Sequence, residues 1–187
     1  AACRGSACAG EAGAPPYPPA VKSPGSTPAV KSSNLLKLPQ EFIWSFHGTN
    51  WFGRDKMLEP LMDLQPYSLK YCKYFMDKNT ITPIREYTDI LCNSIFVPAP
   101  RGNNPETFRL YEALEYGRIP LYVRSDGDDN YWNWLKSWLP ILEIPSWEMA
   151  KVAMIKLMEN PEHVEQYAGL LHTKWNEFKL KASCFFN

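Results

Sequence analysis

The sequence predicts an α/β fold, a Rossmann-like parallel sheet with flanking helices, and three observations carry that prediction. From about residue 35 onward, short apolar runs of strand length alternate with amphipathic stretches of helical period. Between residues 95 and 123 a strand, a loop, a helix and a second strand follow one another at the spacing of a βαβ unit, which makes the two strands parallel. A hydrophobic content of 45%, with 14% aromatic residues, supplies enough apolar surface for one packed core.

A chain of 187 residues corresponds to one domain, or to one domain and a tail. Residues 1–33 read as the tail. They are mostly Ala, Pro, Gly and Ser, with Tyr17 the only aromatic, and Pro19-Ala20-Val21-Lys22-Ser23 recurs as Pro28-Ala29-Val30-Lys31-Ser32. Such a composition buries too little apolar area to offset the entropy of ordering, so a disordered tether is expected. The ordered domain is expected over residues 35–187. The chain starts without Met or a signal peptide and reads as a piece or processed product of something longer.

Charge and cysteine content narrow the functional classes. Twenty basic and twenty acidic side chains leave no net charge, so no global attraction to nucleic acid or an anionic membrane is indicated, and any anion site must be local. No run reaches the roughly 18 apolar residues of a membrane span. The five cysteines lack metal-ligand spacing, and the apolar surroundings of Cys72 and Cys92 favour buried thiols over a bridge.

The elements follow in order. Glu41 to Phe46 is an apolar strand ending at His47-Gly48-Thr49. A helix from about Gly53 carries Met57, Leu58, Leu61, Met62 and Leu64, with Pro60 expected to kink or divide it. Tyr67 to Phe75 alternates as a second strand. Ile84 to Cys92 is helical, with Thr82 as a cap and Pro83 at the first helical position. Ile95-Phe96-Val97 is a buried strand, and Pro98 to Asn103 a loop. Asn104 is expected to cap the next helix, with Pro105 first and Glu106 in its first turn, running to Tyr116 and stopping at Gly117. Ile119 to Val123 is a strand, Asp126 to Trp138 a short helix and Ile141 to Ile144 a further strand. Amphipathic helices over Trp147 to Glu159, and from Asn160-Pro161 to about Lys179, close the chain.

In open parallel sheets ligands bind beyond the carboxyl ends of strands. Two such ends are marked here: Phe46 is followed by Gly48 and Arg54, and Val97 by Arg101, Gly102 and Asn103 ahead of a helix start. Glycines allow close backbone approach, a helix end carries partial positive charge, and arginines offer forked donors, a combination that suits a diphosphate. Arg109 and Glu112 share a helix face, either as a surface ion pair or with Glu112 turned toward a ribose diol. The acidic stretch Asp126-Gly127-Asp128-Asp129 is not read as a metal site, since Asp126 and Asp128 are ordinary helix-cap chemistry. The aromatics Tyr131, Trp132, Trp134 and Trp138 read as packing rather than sugar stacking, and His47 as structural or solvated.

The run Tyr87-Thr88-Asp89-Ile90-Leu91, Ser94-Ile95-Phe96-Val97-Pro98, Pro100-Arg101-Gly102, Arg109-Leu110-Tyr111-Glu112-Ala113-Leu114 and Gly117-Arg118-Ile119-Pro120-Leu121 resembles the signature of the exostosin family of glycosyltransferases. Phe46-His47-Gly48 with Arg54 is similar to that family's glycine turn and following arginine. The resemblance implies one half of a GT-B architecture, the half that holds a nucleotide sugar, most often a UDP-sugar. It places Glu112 on the ribose and Arg54, Arg101 and Arg109 near the diphosphate. The candidate donor-binding set is thus Gly48, Arg54, Arg101, Gly102, Asn103, Arg109 and Glu112, with no catalytic residue assigned and neither metal nor separate cofactor expected. The implied partners are the donor and a glycan or glycoprotein acceptor, with a missing amino-terminal half or self-association completing the cleft, and the implied compartment is the Golgi or secretory lumen. The other class kept open is a nucleotide-sugar-binding or interaction module without catalysis. The family's small apolar stretch after the last strand is replaced here by Arg124-Ser125-Asp126-Gly127-Asp128-Asp129.

Overall fold

A computed structural model describes residues 41–49, 54–72, 82–125 and 127–184. The expected tether, Gly53 and Asp126 lie outside these residues. Strands β1 (Phe42–Thr49), β2 (Tyr67–Cys72), β3 (Ser94–Pro98) and β4 (Ile119–Leu121) form one sheet in the order β2-β1-β3-β4. Every pair is parallel: Trp44 faces Tyr67 on one side and Phe96 on the other, and Phe96 in turn faces Ile119. The Rossmann-like α/β arrangement expected from the sequence is therefore present.

Among the described residues six helices flank the sheet: α1 (Asp55–Leu61), α2 (Ile84–Cys92), α3 (Phe108–Glu115), α4 (Asp129–Trp138), α5 (Trp147–Met158) and α6 (Pro161–Cys184). The chain leaves β1 toward one sheet edge to make β2, then crosses back over β1 to β3 and continues to β4. Right-handed crossovers put α1 on one face and α2 and α3 on the other. The packing agrees: α1 lies against α5, whereas α3 lies against β3, β4 and α6. The winding direction reverses between β1 and β3, so the crevice beyond their carboxyl ends is the topological switch point.

The core follows from the apolar pattern. Trp44, Phe46, Phe96, Ile119 and Leu121 of the strands are buried with Met57, Leu61, Leu110, Leu114, Met154 and Leu171 of the helices. Trp44 also carries a polar handle. Its Nε1–H is shared between the Leu61 and Leu64 carbonyls, at 3.1 and 3.0 Å, which satisfies orphan acceptors at the end of α1. Pro60 is accommodated inside α1, and the helix ends one residue later.

Several boundaries differ from the sequence reading. Asn104 does not cap α3. The helix starts at Phe108 with Thr107 as its extended N-cap, and Glu106 precedes it and accepts from the Tyr111 hydroxyl at 2.7 Å. Pro83 is itself the N-cap of α2 rather than its first residue, and Thr82 turns to His47 instead. Asp128 is the N-cap of α4, one of the two aspartates expected to cap, and the helix starts at Asp129. Ile141 to Ile144 makes no strand. Pro140 and Pro145 lack N–H groups, and the Ile141 N–H turns back to the Leu139 carbonyl at 2.8 Å, leaving only a parallel bridge between Val123 and Ile144. The last helix continues past Lys179 to Cys184. Cys92 is a half-buried free thiol.

Gly117 ends α3 as the sequence indicates, and the mechanism is visible. Its φ is 64°, its N–H donates to Leu114 and that of Arg118 to Ala113, the paired bonds of a Schellman cap. A Cβ there meets the left-handed backbone penalty, so Gly117→Ala is expected to lower stability by about 1 kcal/mol, read as a reduced urea midpoint with an unchanged slope.

Candidate functional site

The site is built on the carboxyl ends of β1 and β3. Phe46 is buried in the carboxyl half of β1, and two arginines use its ring as a platform. The Arg109 guanidinium carbon lies 4.3 Å from the ring centroid and that of Arg54 lies 5.7 Å from it. Arg109 reaches back from α3 and donates through Nη2 to the His47 carbonyl. Arg54, just ahead of α1, donates to the Thr49 carbonyl at 2.9 Å and to the Arg101 carbonyl at 3.4 Å. Burial, and next the proximity of Arg109, lower the pKa of Arg54 from its usual value. The Nε atoms of both arginines are buried and have no hydrogen-bond acceptor among the described residues.

The glycines serve this packing in different ways. A Cβ on Gly48 would stand 3.1 Å from the edge of the Phe46 ring and 3.3 Å from each terminal nitrogen of Arg109. Its absence is what lets the guanidinium lie against the strand. Gly102 is less constrained, with the Arg54 Nη2 4.0 Å from where its Cβ would be. Its N–H donates to the Asn104 carbonyl at 3.2 Å, so that group is spent within the loop rather than turned outward. Asn103 lies exposed on the same loop.

Arg101 is held from the opposite side. Its Nη1 is 3.3 Å from Asp128 Oδ1; the arginine side chain is 35% exposed and the aspartate 1%. Asp128 also accepts from the Tyr122 hydroxyl at 2.9 Å and the Ser125 N–H at 3.1 Å, so this buried carboxylate is fully engaged. Asp129 pairs with Arg124. Among the described residues no cluster of His, Cys, Asp and Glu suited to a metal ion occurs.

Arg109 and Glu112 do not form the simple helix-face ion pair. Arg109 turns to His47, and Glu112 accepts a 2.6 Å hydrogen bond from the Tyr87 hydroxyl of α2. Burial above all raises the pKa of Tyr87 well past the usual phenolic range, with the neighbouring Glu112 adding to it against Arg109, so the phenol remains a donor. Five of the seven candidate residues, Gly48, Arg54, Arg101, Gly102 and Arg109, are thereby linked directly, and Glu112 joins them through Tyr87. Sequence reasoning did not single out Phe46 as platform, Tyr87 as partner of Glu112, or Asp128 as tether of Arg101. Nor did it single out Tyr71, whose hydroxyl at the end of β2 is buried without a partner among the described residues. Tyr87, Phe46 and Asp128 stood within quoted segments, but no pattern or spacing revealed the partners they meet in the fold.

Next to Arg54 and Arg101 opens a cleft of about 310 Å³, walled by Lys56, Pro100, Val123, Ser125 and the turn from Pro145 to Glu148 that starts α5. The aromatic run of α4 lies elsewhere and packs: Trp132 is buried, and Trp138 stacks on Phe178 of α6 at 4.2 Å between centroids.

A parallel sheet whose switch-point crevice gathers three guanidinium groups defines a Rossmann-like domain. The chain belongs to the RXYLT1 C-terminal domain family, whose model matches residues 26–180, and it is thus a glycosyltransferase-related domain. Among curated proteins none matches the chain. No helix of the described residues is long and apolar enough to cross a membrane.

His47 sits beneath this mouth with both ring nitrogens engaged, Nδ1 at 2.9 Å from Thr82 Oγ1 and Nε2 at 2.9 Å from Ser68 Oγ. Burial first, then Lys70 and Arg109, lower its pKa; burial and Lys179 do the same for His172. A depressed folded-state pKa means that the unfolded chain binds protons the native state refuses. Stability is therefore level above about pH 6.5 and falls as the pH drops below it. Urea midpoints at pH 7.5, 6.0 and 5.5 should show that decline, and His47→Gln should make it shallower, with the His172 share remaining.

Proposed function

We propose that this chain is the donor-binding half of a GT-B glycosyltransferase of exostosin type. It holds a UDP-sugar for transfer to a hydroxyl of a glycan or glycoprotein in the Golgi or secretory lumen. One observation carries the reading: Arg54 and Arg109 both lie over the Phe46 ring at the switch point, each with a buried Nε–H that lacks an acceptor among the described residues. A buried donor left unpaired costs about 1–3 kcal/mol, a cost that an anion entering the crevice would remove. Arg101, on the adjoining loop, brings a third cation.

The chemistry asks for this. When the bond from the sugar's anomeric carbon to the phosphate oxygen breaks, its electron pair stays on the diphosphate. Guanidinium groups already oriented there stabilise the developing charge without reorganisation. Glu112 accepts from the ribose diol through charge-assisted hydrogen bonds, and Tyr87 keeps its carboxylate in place. A second reading, a module that binds the donor without turning it over, draws support from His47. Its two engaged nitrogens leave that imidazole no role as the base for an acceptor hydroxyl.

Calorimetry with UDP tests the proposal. The wild-type chain is expected to bind UDP, Glu112→Gln to weaken binding about tenfold or more, and Arg54→Gln to do likewise. Unchanged affinity in both folded variants would remove the assignment. Transfer to an added acceptor, measured on the same samples, separates the enzyme from the module.

A further inference from the structure

Helix α5 is apolar on two faces, and the domain's own core covers only one of them. Of its twelve residues only Glu148, Lys151 and Lys156 are polar. Ala150 and Met154 are fully buried in the core, with α1 packed alongside. On the opposite face Met149, Val152 and Ile155 are 48%, 52% and 42% exposed. Their spacing of three residues puts them on one stripe, and Met62 at the end of α1 is exposed as well. A helix that is apolar all round is ordinarily covered on every side, and an exposed apolar stripe marks an interaction surface.

The polar residues of α5 say what covers it. Lys151 leans toward α1 and pairs with Asp63 at 2.7 Å. Glu148 and Lys156 remain, and both are exposed. They stand four residues before and four residues after Val152, so the three form one ridge along the helix. Met149 and Ile155, three residues before and three after, flank that ridge on its two sides. The ridge is thus acidic at one end, apolar at its centre and basic at the other. Ser146 hydrogen-bonds the Glu148 carboxylate and holds the acidic end in place. Lys156 takes part in no ion pair among the described residues.

We infer that this face binds a second copy of the chain, the two α5 helices crossing antiparallel about a two-fold axis at Val152. A ridge whose charge changes sign about its midpoint is complementary to its own reversed copy, which is what an isologous interface requires. Val152 then meets Val152 of the second copy, and Glu148 and Lys156 each face the opposite charge. Symmetry makes two ion pairs, while Met149 and Ile155 close the apolar contact around the axis. Parallel pairing would set Glu148 on Glu148 and Lys156 on Lys156, so charge selects the orientation. An anionic lipid surface fits the ridge less well, because its acidic end would be repelled.

This contact is independent of the donor reading. The first turn of α5 borders the cleft beside Arg54 and Arg101, and antiparallel pairing sends the two clefts to opposite ends of the interface. One helix pair lies at the small end of specific interfaces, so a dissociation constant on the order of 10–100 µM is expected.

Sedimentation equilibrium of the full chain from about 5 to about 500 µM reads this association. The wild-type chain should pass from monomer to dimer in that range. Val152→Glu puts two carboxylates at the axis and should weaken the dimer about tenfold or more. Glu148→Lys and Lys156→Glu should each be monomeric alone, since each then sets like charges together. Mixed in equal amounts they should form a heterodimer, because every pair across the axis is again of opposite sign. That recovery separates the interface from a loss of helix stability, which mixing would not repair. A wild-type chain that stays monomeric at about 500 µM would overturn the inference and leave the stripe to a different polypeptide. A dimer unaffected by Val152→Glu, or folded charge variants that remain monomeric when mixed, would overturn it as well.

Discussion

The guanidinium of Arg109, held over the Phe46 ring and tied to the His47 carbonyl, connects the two halves of the sheet's upper edge. It comes from α3, the crossover between β3 and β4, and it lands on β1. That reach is possible because Gly48 has no side chain and because β1 and β3 are neighbours in parallel register. Arg54 lies near the same ring, and the Arg101 loop against Arg54. Two like charges held over one ring are tolerable only where carbonyl oxygens and the ring face offset them, and here both are present.

Much of this was readable from the residues, for identifiable reasons. The helix Ile84–Cys92 matched its apolar pattern, and Gly117 marked a stop because only glycine takes the left-handed turn without strain. The strand ends bearing Gly48, Arg54, Arg101 and Gly102 stood out because parallel sheets bind at such ends, and the sheet order places two of them side by side. What was missed depends on contacts remote in sequence. Asn104-Pro105-Glu106 has the composition of a helix start, yet the Tyr111 hydroxyl captures Glu106 and the helix begins later. Ile141 to Ile144 has the composition of a strand, but its flanking prolines and a local turn remove the donors that a ladder requires.

The partner of Glu112 shows the same limit. Tyr87 and Glu112 are 25 positions apart and meet only because α2 and α3 pack on one face of the sheet. No spacing rule connects them. Asp128 is similar: read as a cap, it is spent on Tyr122, Ser125 and Arg101, three groups that converge only once β4 and the loop after β3 are in place. The polar groups that matter most here are therefore those whose partners the tertiary fold selects.

The shared hydrogen bond from Trp44 to the Leu61 and Leu64 carbonyls has a mechanical side. It bolts the trailing end of α1 to the middle of the sheet, while Arg54 stands at the leading end of that helix. Seven residues make a rod of about 10 Å, so a rocking of about 10° around the Trp44 pivot swings Arg54 by about 2 Å. That stroke is about the difference between a direct contact with an anion and one that needs a bridging water. In such a rocking the indole in the core would be the fulcrum, resisted at the working end by the bonds of Arg54 to the Thr49 and Arg101 carbonyls.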